Sequence, residues 1–495
     1  STPLYSSAAS DVYKRQNHPN PELAISVVKK DLNLVFFKYL IFVVQLFSYV
    51  YSQPGTLISY DHKISSSNSD IQWLVDLALG NNAPLALYDI SMYSIEYEIL
   101  DPQGYVDTLS GLVSFPMDPT KIFPIASYQH GTTVEDNNVP SVTGLSLSNQ
   151  EVSLISMIMS SSGYIIMLPD YAGLGSSEGY HPYIIAETYT PAITNMIRAV
   201  KELSNELDIN NSFMYNNQLY LFGYSEGGYA TMSAQRDIEQ SMLDEFDLTV
   251  SIPMAGPYDL SGTMVDFYLS INFYPQPYYV ANVLFNHLHY YDSLDNLDQY
   301  FLPFWADTLS GLFDGTHSGT YINSLMPDNP IEILLPDVID DFSINSDNLF
   351  RQTLEANTLL DWVPISPTYL IHAVADDIVP IANAQVAYNT FVDNGAESVY
   401  LIEMPESVGG HEEAAPLCLL TALDTVSLYQ IINNKGDTNL DGLVNDIDYD
   451  LLVEHILSST IFDLSERWAG DIDFDATLSI FDLVSLQNII ENGSD

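Results

Sequence analysis

Gln218-Leu219-Tyr220-Leu221-Phe222-Gly223-Tyr224-Ser225-Glu226-Gly227-Gly228 decides how the chain is read. The first five residues form an apolar, aromatic run typical of a buried strand, and Tyr229 to Arg236 continues as a helix. A serine at the centre of G-x-S-x-G, between strand and helix, is a nucleophile elbow. So tight a turn forces strained backbone angles on Ser225, which lift its hydroxyl out of the sheet. Gly223 and Gly227 flank it because a side chain there would clash, and Gly228 lets the helix approach closely. The helix N-terminus also sets backbone N–H dipoles beside the serine, where an oxyanion can be held.

Outward from the elbow, strands and helices alternate. Strands are expected at Tyr93–Leu100, Val106–Phe115, Ile122–Tyr128, Tyr164–Leu168, Leu248–Met254, Pro367–Ala373 and Ser398–Met404. Helices are expected at Ile71–Leu79, Ser146–Ser160, Glu187–Leu203, Ile381–Phe391 and Pro416–Ile432. The first two strands read as an antiparallel pair. The rest imply an α/β fold, a mostly parallel sheet flanked by helices. From about Ser261 to Trp362 the alternation stops, and aromatic pairs such as Phe273-Tyr274 and Tyr290-Tyr291 crowd the chain. This insertion, residues 261–362, reads as a helical cap over the sheet's carboxyl edge, where ligands of such sheets bind.

A serine hydroxyl needs a histidine base, and the base needs a carboxylate to fix its tautomer. The order along such chains is serine, acid, histidine. Asp376 stands just past the strand ending at Ala373 and is the expected acid. Asp377 is the alternative, with a solvated or helix-capping role for whichever is not used. His411, after Gly409-Gly410 in an expected flexible loop, is the base, whereas His372 reads as a satisfied residue at a strand end. Two backbone N–H groups should hold the oxyanion: that of Glu226 and that of Thr132, in the loop after an early strand, with Thr133 as the nearby alternative.

These residues resemble the α/β-hydrolase superfamily, and within it bacterial relatives of the secretory lipases. The resemblance is carried by Tyr128-Gln-His-Gly-Thr132, Pro169-Asp-Tyr-Ala-Gly-Leu-Gly175, His181-Pro-Tyr183, the elbow, Ala255-Gly-Pro-Tyr-Asp-Leu260, Asp361-Trp-Val-Pro364 and the loops of Asp376 and His411. Together these span roughly Ile71 to Ile432. It implies a secreted carboxylic-ester hydrolase using Ser225, Asp376 and His411. Glu226 replaces a usual Gln; a carboxylate at the mouth would disfavour anionic substrates. Ala373 replaces a usual Gly before the acid loop. The rivals are acetyl, feruloyl or polyester hydrolysis, a serine peptidase on the same fold, and a non-catalytic scaffold. No cofactor is needed for the ester chemistry.

Close behind the last hydrolase helix a new pattern begins. Asp437, Asn439, Asp441, Asn445 and Asp448 occupy positions 1, 3, 5, 9 and 12 of an EF-hand-type loop, with the Leu443 carbonyl at 7 and Gly442 at the turn. A second copy follows 34 residues on, with Asp471, Asp473, Asp475, Ser479, Asp482 and the Thr477 carbonyl. Each loop leads into a leucine-rich helix, Tyr449–Leu457 and Leu483–Ile490. The pair resembles a type I dockerin, a small all-α module, which implies two Ca²⁺ ions and a cohesin-type protein partner. Asp446-Ile447 and Ile480-Phe481 match the positions where that family carries partner specificity. Ala476 stands where Gly is usual, which bears on the second loop's geometry.

Sixty-five acidic residues against 13 basic ones give a formal net charge of −52. Such a surface repels nucleic acid and anionic membranes. The lone cysteine, Cys418, has no partner for a disulfide. Residues 1–16 read as translated adaptor sequence and are set aside. Residues 17–52 read as a signal-peptide region, with Lys29, Lys30 and Lys38 before the apolar run Tyr39–Phe47 and cleavage before Gln53. The expected organisation is a catalytic domain at 53–432 and a dockerin-like domain at 435–495, secreted and without a lasting membrane span.

Overall fold

Every residue of β6 (Tyr215–Tyr224) from Leu219 onward is buried, and the side chains alternate between two layers. Leu219 and Leu221 join one apolar cluster, Tyr220, Phe222 and Tyr224 another, on opposite faces of the sheet. The computed structural model describes residues 53–80, 83–146, 149–207, 212–292 and 296–492. The adaptor and signal-peptide readings lie outside these residues, the final Gln53 boundary aside. No helix among them is long and apolar enough to cross a membrane.

Besides β6, the sheet holds β1 (Leu57–Ser66), β2 (Ile90–Leu100), β3 (Val106–Pro116), β4 (Lys121–Gln129), β5 (Ile165–Pro169), β7 (Asp247–Met254), β8 (Thr368–Ala373) and β9 (Val399–Met404). Their order is β1-β2-β3-β5-β4-β6-β7-β8-β9. From β5 to β9 neighbours are parallel, while β1, β2, β3 and β5 pair antiparallel. One face carries α1 (Asn68–Leu79), α2 (Gln150–Ser161) and, after β9, α11 (His411–Ser427). The other carries α3 (Ala186–Glu206), α4 (Glu226–Ser241) and α10 (Ala382–Asp393). The registers Gln129 to Gly223, Tyr224 to Met254, Met254 to Ile371 and Ala373 to Met404 bring the strand ends level. His130, Ser225 and the Val374–Asp377 turn therefore emerge along one edge.

Between β7 and β8 the insertion is helical. It includes α5 (Val265–Ser270), α6 (Pro277–Tyr291), α7 (Pro303–Leu312), α8 (Pro336–Ile344) and α9 (Leu349–Ala356). Tyr274 donates to the carbonyl of Ile378, and Tyr229 of α4 donates to that of Asn357. The cap is thus tied to the acid loop and to the elbow helix.

Two helix starts differ most from expectation. α2 begins at Gln150, because Asn149 caps it by accepting from the Val152 N–H. α11 begins at His411 rather than Pro416, so His411 sits on a helix end and not in a flexible loop. Asp377 Oδ1 accepts the His411 N–H at 3.1 Å, and Glu412 and Glu413 suit the positive end of the dipole. Pro416 is exposed, so the one bond its missing N–H forfeits is exchanged for water. β1 was absent from the sequence reading; its side chains are mostly exposed on an edge strand, which blurs the alternation.

After α11 the two-residue strand β10 (Asn433–Asn434) pairs with Ile122 and Lys121 at the start of β4. Then follow α12 (Asp446–Ile456), α13 (Leu464–Gly470) and α14 (Ile480–Asn492). Leu452, Phe462, Leu483 and Leu486 form their separate small core. The middle helix was not anticipated, although its capping box, Asp463 with Glu466, was visible in the sequence. Ser465 Oγ donates to the Tyr215 carbonyl at 2.6 Å, seating this helix on β6.

Candidate active site

The elbow has the expected strain. Ser225 lies at φ 62°, ψ −122°, conformational territory that non-glycine residues rarely occupy. A Cβ on Gly227 would fall 1.8 Å from the Gln129 carbonyl oxygen, and one on Gly223 would fall 2.4 Å from that of Gly227. The glycines therefore serve the close packing of β4, elbow and helix. The same packing lays the backbone of residues 129 and 130 against the turn.

Three residues distant in sequence meet at this edge. His411 Nε2 lies 2.8 Å from Ser225 Oγ, and His411 Nδ1 lies 2.7 Å from Asp376 Oδ2. A carboxylate accepts, so Nδ1 carries the proton and the Nε2 lone pair faces the hydroxyl. Asp376 accepts further bonds from the N–H groups of Ile378 and Val379 and from His372 Nε2. Burial raises its pKa, but the charge and hydrogen bonds of His411 and His372 outweigh burial, and the net result is well below the ordinary carboxylate range. His372 also donates to the Val379 carbonyl, yet its Nδ1 is buried with no partner among the described residues, so it is only half satisfied. Asp377 is exposed and serves the first turn of α11.

The loop after β4 is held from below. Glu151 Oε1 accepts from the Gly131 N–H at 3.0 Å and from Tyr128 at 2.5 Å. The Gly131 amide is therefore not the free donor of this loop. Thr132 Oγ1 lies 2.9 Å from the Tyr183 hydroxyl, and Thr133 is buried beside it. Glu226 opens α4, where the first N–H groups lack partners within the helix.

One expectation fails at Glu226. Its carboxylate does not stand free at the mouth but is buried, with Oε1 accepting from His181 Nε2 at 2.6 Å and from Tyr189 at 2.9 Å. His181 comes from the His181-Pro-Tyr183 segment, 45 residues upstream. Separation along the chain hid this pairing from the sequence reading.

Above Ser225 the cap leaves a small space of about 20 Å³. Its walls include Tyr183, Leu260 and the cap residues Met264, Tyr268, Tyr274 and Tyr279. The cap therefore contributes the wall facing the serine. Cys418 is buried in α11; burial, then Asp376, pushes its thiol up to about 12, so it is no rival nucleophile.

At the far end, both acidic loops repeat one set of hydrogen bonds. Asp448 Oδ1 accepts from the N–H groups of Thr438 and Asn439, and Oδ2 from Asn445; Asp482 does the same with Ile472, Asp473 and Ser479. Asp471, Asp473 and Asp475 each offer a carboxylate oxygen within 4.8 Å of the others. This all-oxygen donor set fits a hard divalent cation. Ala476 keeps the left-handed backbone of Gly442, φ 63° against 90°, so the glycine departure leaves the loop shape intact. Ile447, Ile480 and Phe481 are exposed.

A strained serine elbow on a mostly parallel sheet, with histidine and acid arriving from later strands, defines the α/β-hydrolase class of fold. The secretory lipase family model matches residues 139–241 and 337–420. No curated protein matches the sequence. A putative hydrolase from Legionella pneumophila shares 27% identity over 75% of this chain and 98% of its own, with a TM-score of 0.68. The rice cell wall degrading esterase LipA from Xanthomonas oryzae shares 26% over 76% and 97%, with a TM-score of 0.65. Candida antarctica lipase A in its closed state, at 18% identity over 76% and 82% and a TM-score of 0.57, shares the fold. These likenesses support a carboxylic ester hydrolase of the lipase and esterase type.

Proposed function

We propose that the chain is a secreted serine esterase or lipase with a calcium-dependent docking tail. The 2.8 Å and 2.7 Å links from Ser225 through His411 to Asp376 carry the reading. Ser225 Oγ attacks the ester carbonyl while His411 Nε2 takes its proton, and Asp376 steadies the imidazolium. The amides of Glu226 and Thr132 hold the oxyanion. His411 returns the proton to the leaving alcohol, and water then deacylates Ser225 by the same base. The leader-like residues 17–52 and the likeness to secretory lipases support secretion.

In the tail, Asp437, Asn439, Asp441, Asn445, Asp448 and the Leu443 carbonyl would hold one Ca²⁺. Asp471, Asp473, Asp475, Ser479, Asp482 and the Thr477 carbonyl would hold the second. Bound there, Ca²⁺ would rigidify the loops, and the ester chemistry would not call on it. The exposed Ile447, Ile480 and Phe481 offer the apolar contact for a cohesin-type protein.

The test is a chain-length series of 4-nitrophenyl esters beside a 4-nitroanilide peptide, with and without calcium. Ester turnover that vanishes in Ser225→Ala supports the reading. Peptide cleavage without ester cleavage, or ester turnover unchanged in Ser225→Ala, sinks it.

A further inference from the structure

Glu226 follows the nucleophile, lines the space over Ser225, and has an oxygen left over. Its side chain is buried, Oε1 is used by His181 and Tyr189, and Oε2 has no partner among the described residues. A buried carboxylate oxygen without a donor costs free energy comparable to a lost hydrogen bond. What the oxygen wants can be worked out from its neighbours.

His181 Nδ1 lies 2.8 Å from the Ala172 carbonyl, and a carbonyl cannot donate, so Nδ1 carries a proton. The 2.6 Å contact between His181 Nε2 and Glu226 Oε1 then needs one more proton between them, on nitrogen or on oxygen. Tyr189 receives the Ile184 N–H and so gives its own proton to Oε1. With those protons placed, Oε2 is an acceptor in either case. The pair as a whole is neutral, because a proton moved from histidine to glutamate cancels both charges. An uncharged donor is the complement, and in an ester that donor is a hydroxyl.

We infer that the site selects esters bearing a free hydroxyl near the scissile bond, with Glu226 Oε2 as the group that recognises it. This rests on the ester-hydrolase reading above. The hydroxyl could sit on the acyl side, as in a hydroxy acid, or on the alcohol side, as in a partly esterified polyol. The chemistry is shared, and the substrates separate the two sources.

The test measures kcat/KM for two matched pairs: 4-nitrophenyl 3-hydroxybutyrate against 4-nitrophenyl butyrate, and 2-hydroxyethyl butyrate against ethyl butyrate. In one pair the hydroxylated member should be favoured about tenfold, the ratio expected when a buried acceptor left unpaired gains its donor. That preference should disappear in Glu226→Met and shrink in Glu226→Gln, with folding checked by thermal melting. Equal rates within both pairs for the parent enzyme, as a trapped water on Oε2 would give, overturn the inference. So does a preference that survives both variants. Should the variants not fold, the parent's ratios still decide. Failure of the underlying reading looks different: hydrolysis of all four esters would be indifferent to Ser225→Ala.

Discussion

His411 with Asp376 and His181 with Glu226 are buried histidine–carboxylate pairs of nearly equal length, 2.7 Å and 2.6 Å. Their free ring nitrogens meet different partners. In the first pair the nitrogen faces Ser225 Oγ, a hydroxyl that can surrender its proton; in the second it faces the Ala172 carbonyl, which can only accept. The first pair can therefore run a proton in and out, while the second is locked with both nitrogens engaged. A short contact between imidazole and carboxylate does not make a base. The third partner decides.

Four experiments would break or sharpen that contrast. Ser225→Ala and His411→Ala should each lower kcat on a soluble ester by about 10⁶-fold, because members of such a unit fail together. His181→Ala should cost far less turnover per folded molecule while lowering stability by about 3 kcal/mol, the loss expected when one partner of a buried pair is removed. Equal kcat losses in His411→Ala and His181→Ala would erase the distinction.

Next, Asp376→Asn should reduce kcat by about 10⁴-fold through the wrong imidazole tautomer. Asp377→Asn should leave kcat near the parent value and cost about 1 kcal/mol of stability at most, as for a weakened helix cap. A reversal of the two would transfer the acid role to Asp377.

The third experiment concerns pH. Asp376 has a folded pKa below its unfolded one, so its ionised form stabilises the fold above the unfolded value, and that stability is lost as pH falls below about 4. Melting temperature followed against pH should show an acid limb that is shallower in Asp376→Asn. Identical acid limbs would contradict the assignment.

The smallest effect should come from removing calcium. EGTA should raise hydrogen exchange in α12 and α14 and leave turnover of a soluble ester unchanged, since both histidine pairs lie at the other end of the sheet. Loss of turnover in step with the exchange would couple the regions.

Much of this is legible in the sequence. The elbow announces itself because strand, turn and helix are contiguous, and Asp376 and His411 follow strands whose apolar runs are plain. The acidic loops repeat 34 residues apart with matching residue types. What escaped the reading is long-range. Nothing near Glu226 in the sequence points to His181, and nothing near His411 says that Asp377 will start a helix there. β10 is two residues long, too short for any periodicity, yet it fixes where the tail sits.

That short strand has a further consequence. It grips the opening residues of β4, whereas Ser225 stands beyond the closing residues of β6, its parallel neighbour. Asn216 of β6 reinforces the grip by donating to Asn433, and Asn433 donates in turn to Asp437 of the first acidic loop. The tail is a foot set under the heel of the sheet, with no slack ankle between them. A partner bound to that foot would point the serine away from itself, and fix its aim as well as its address.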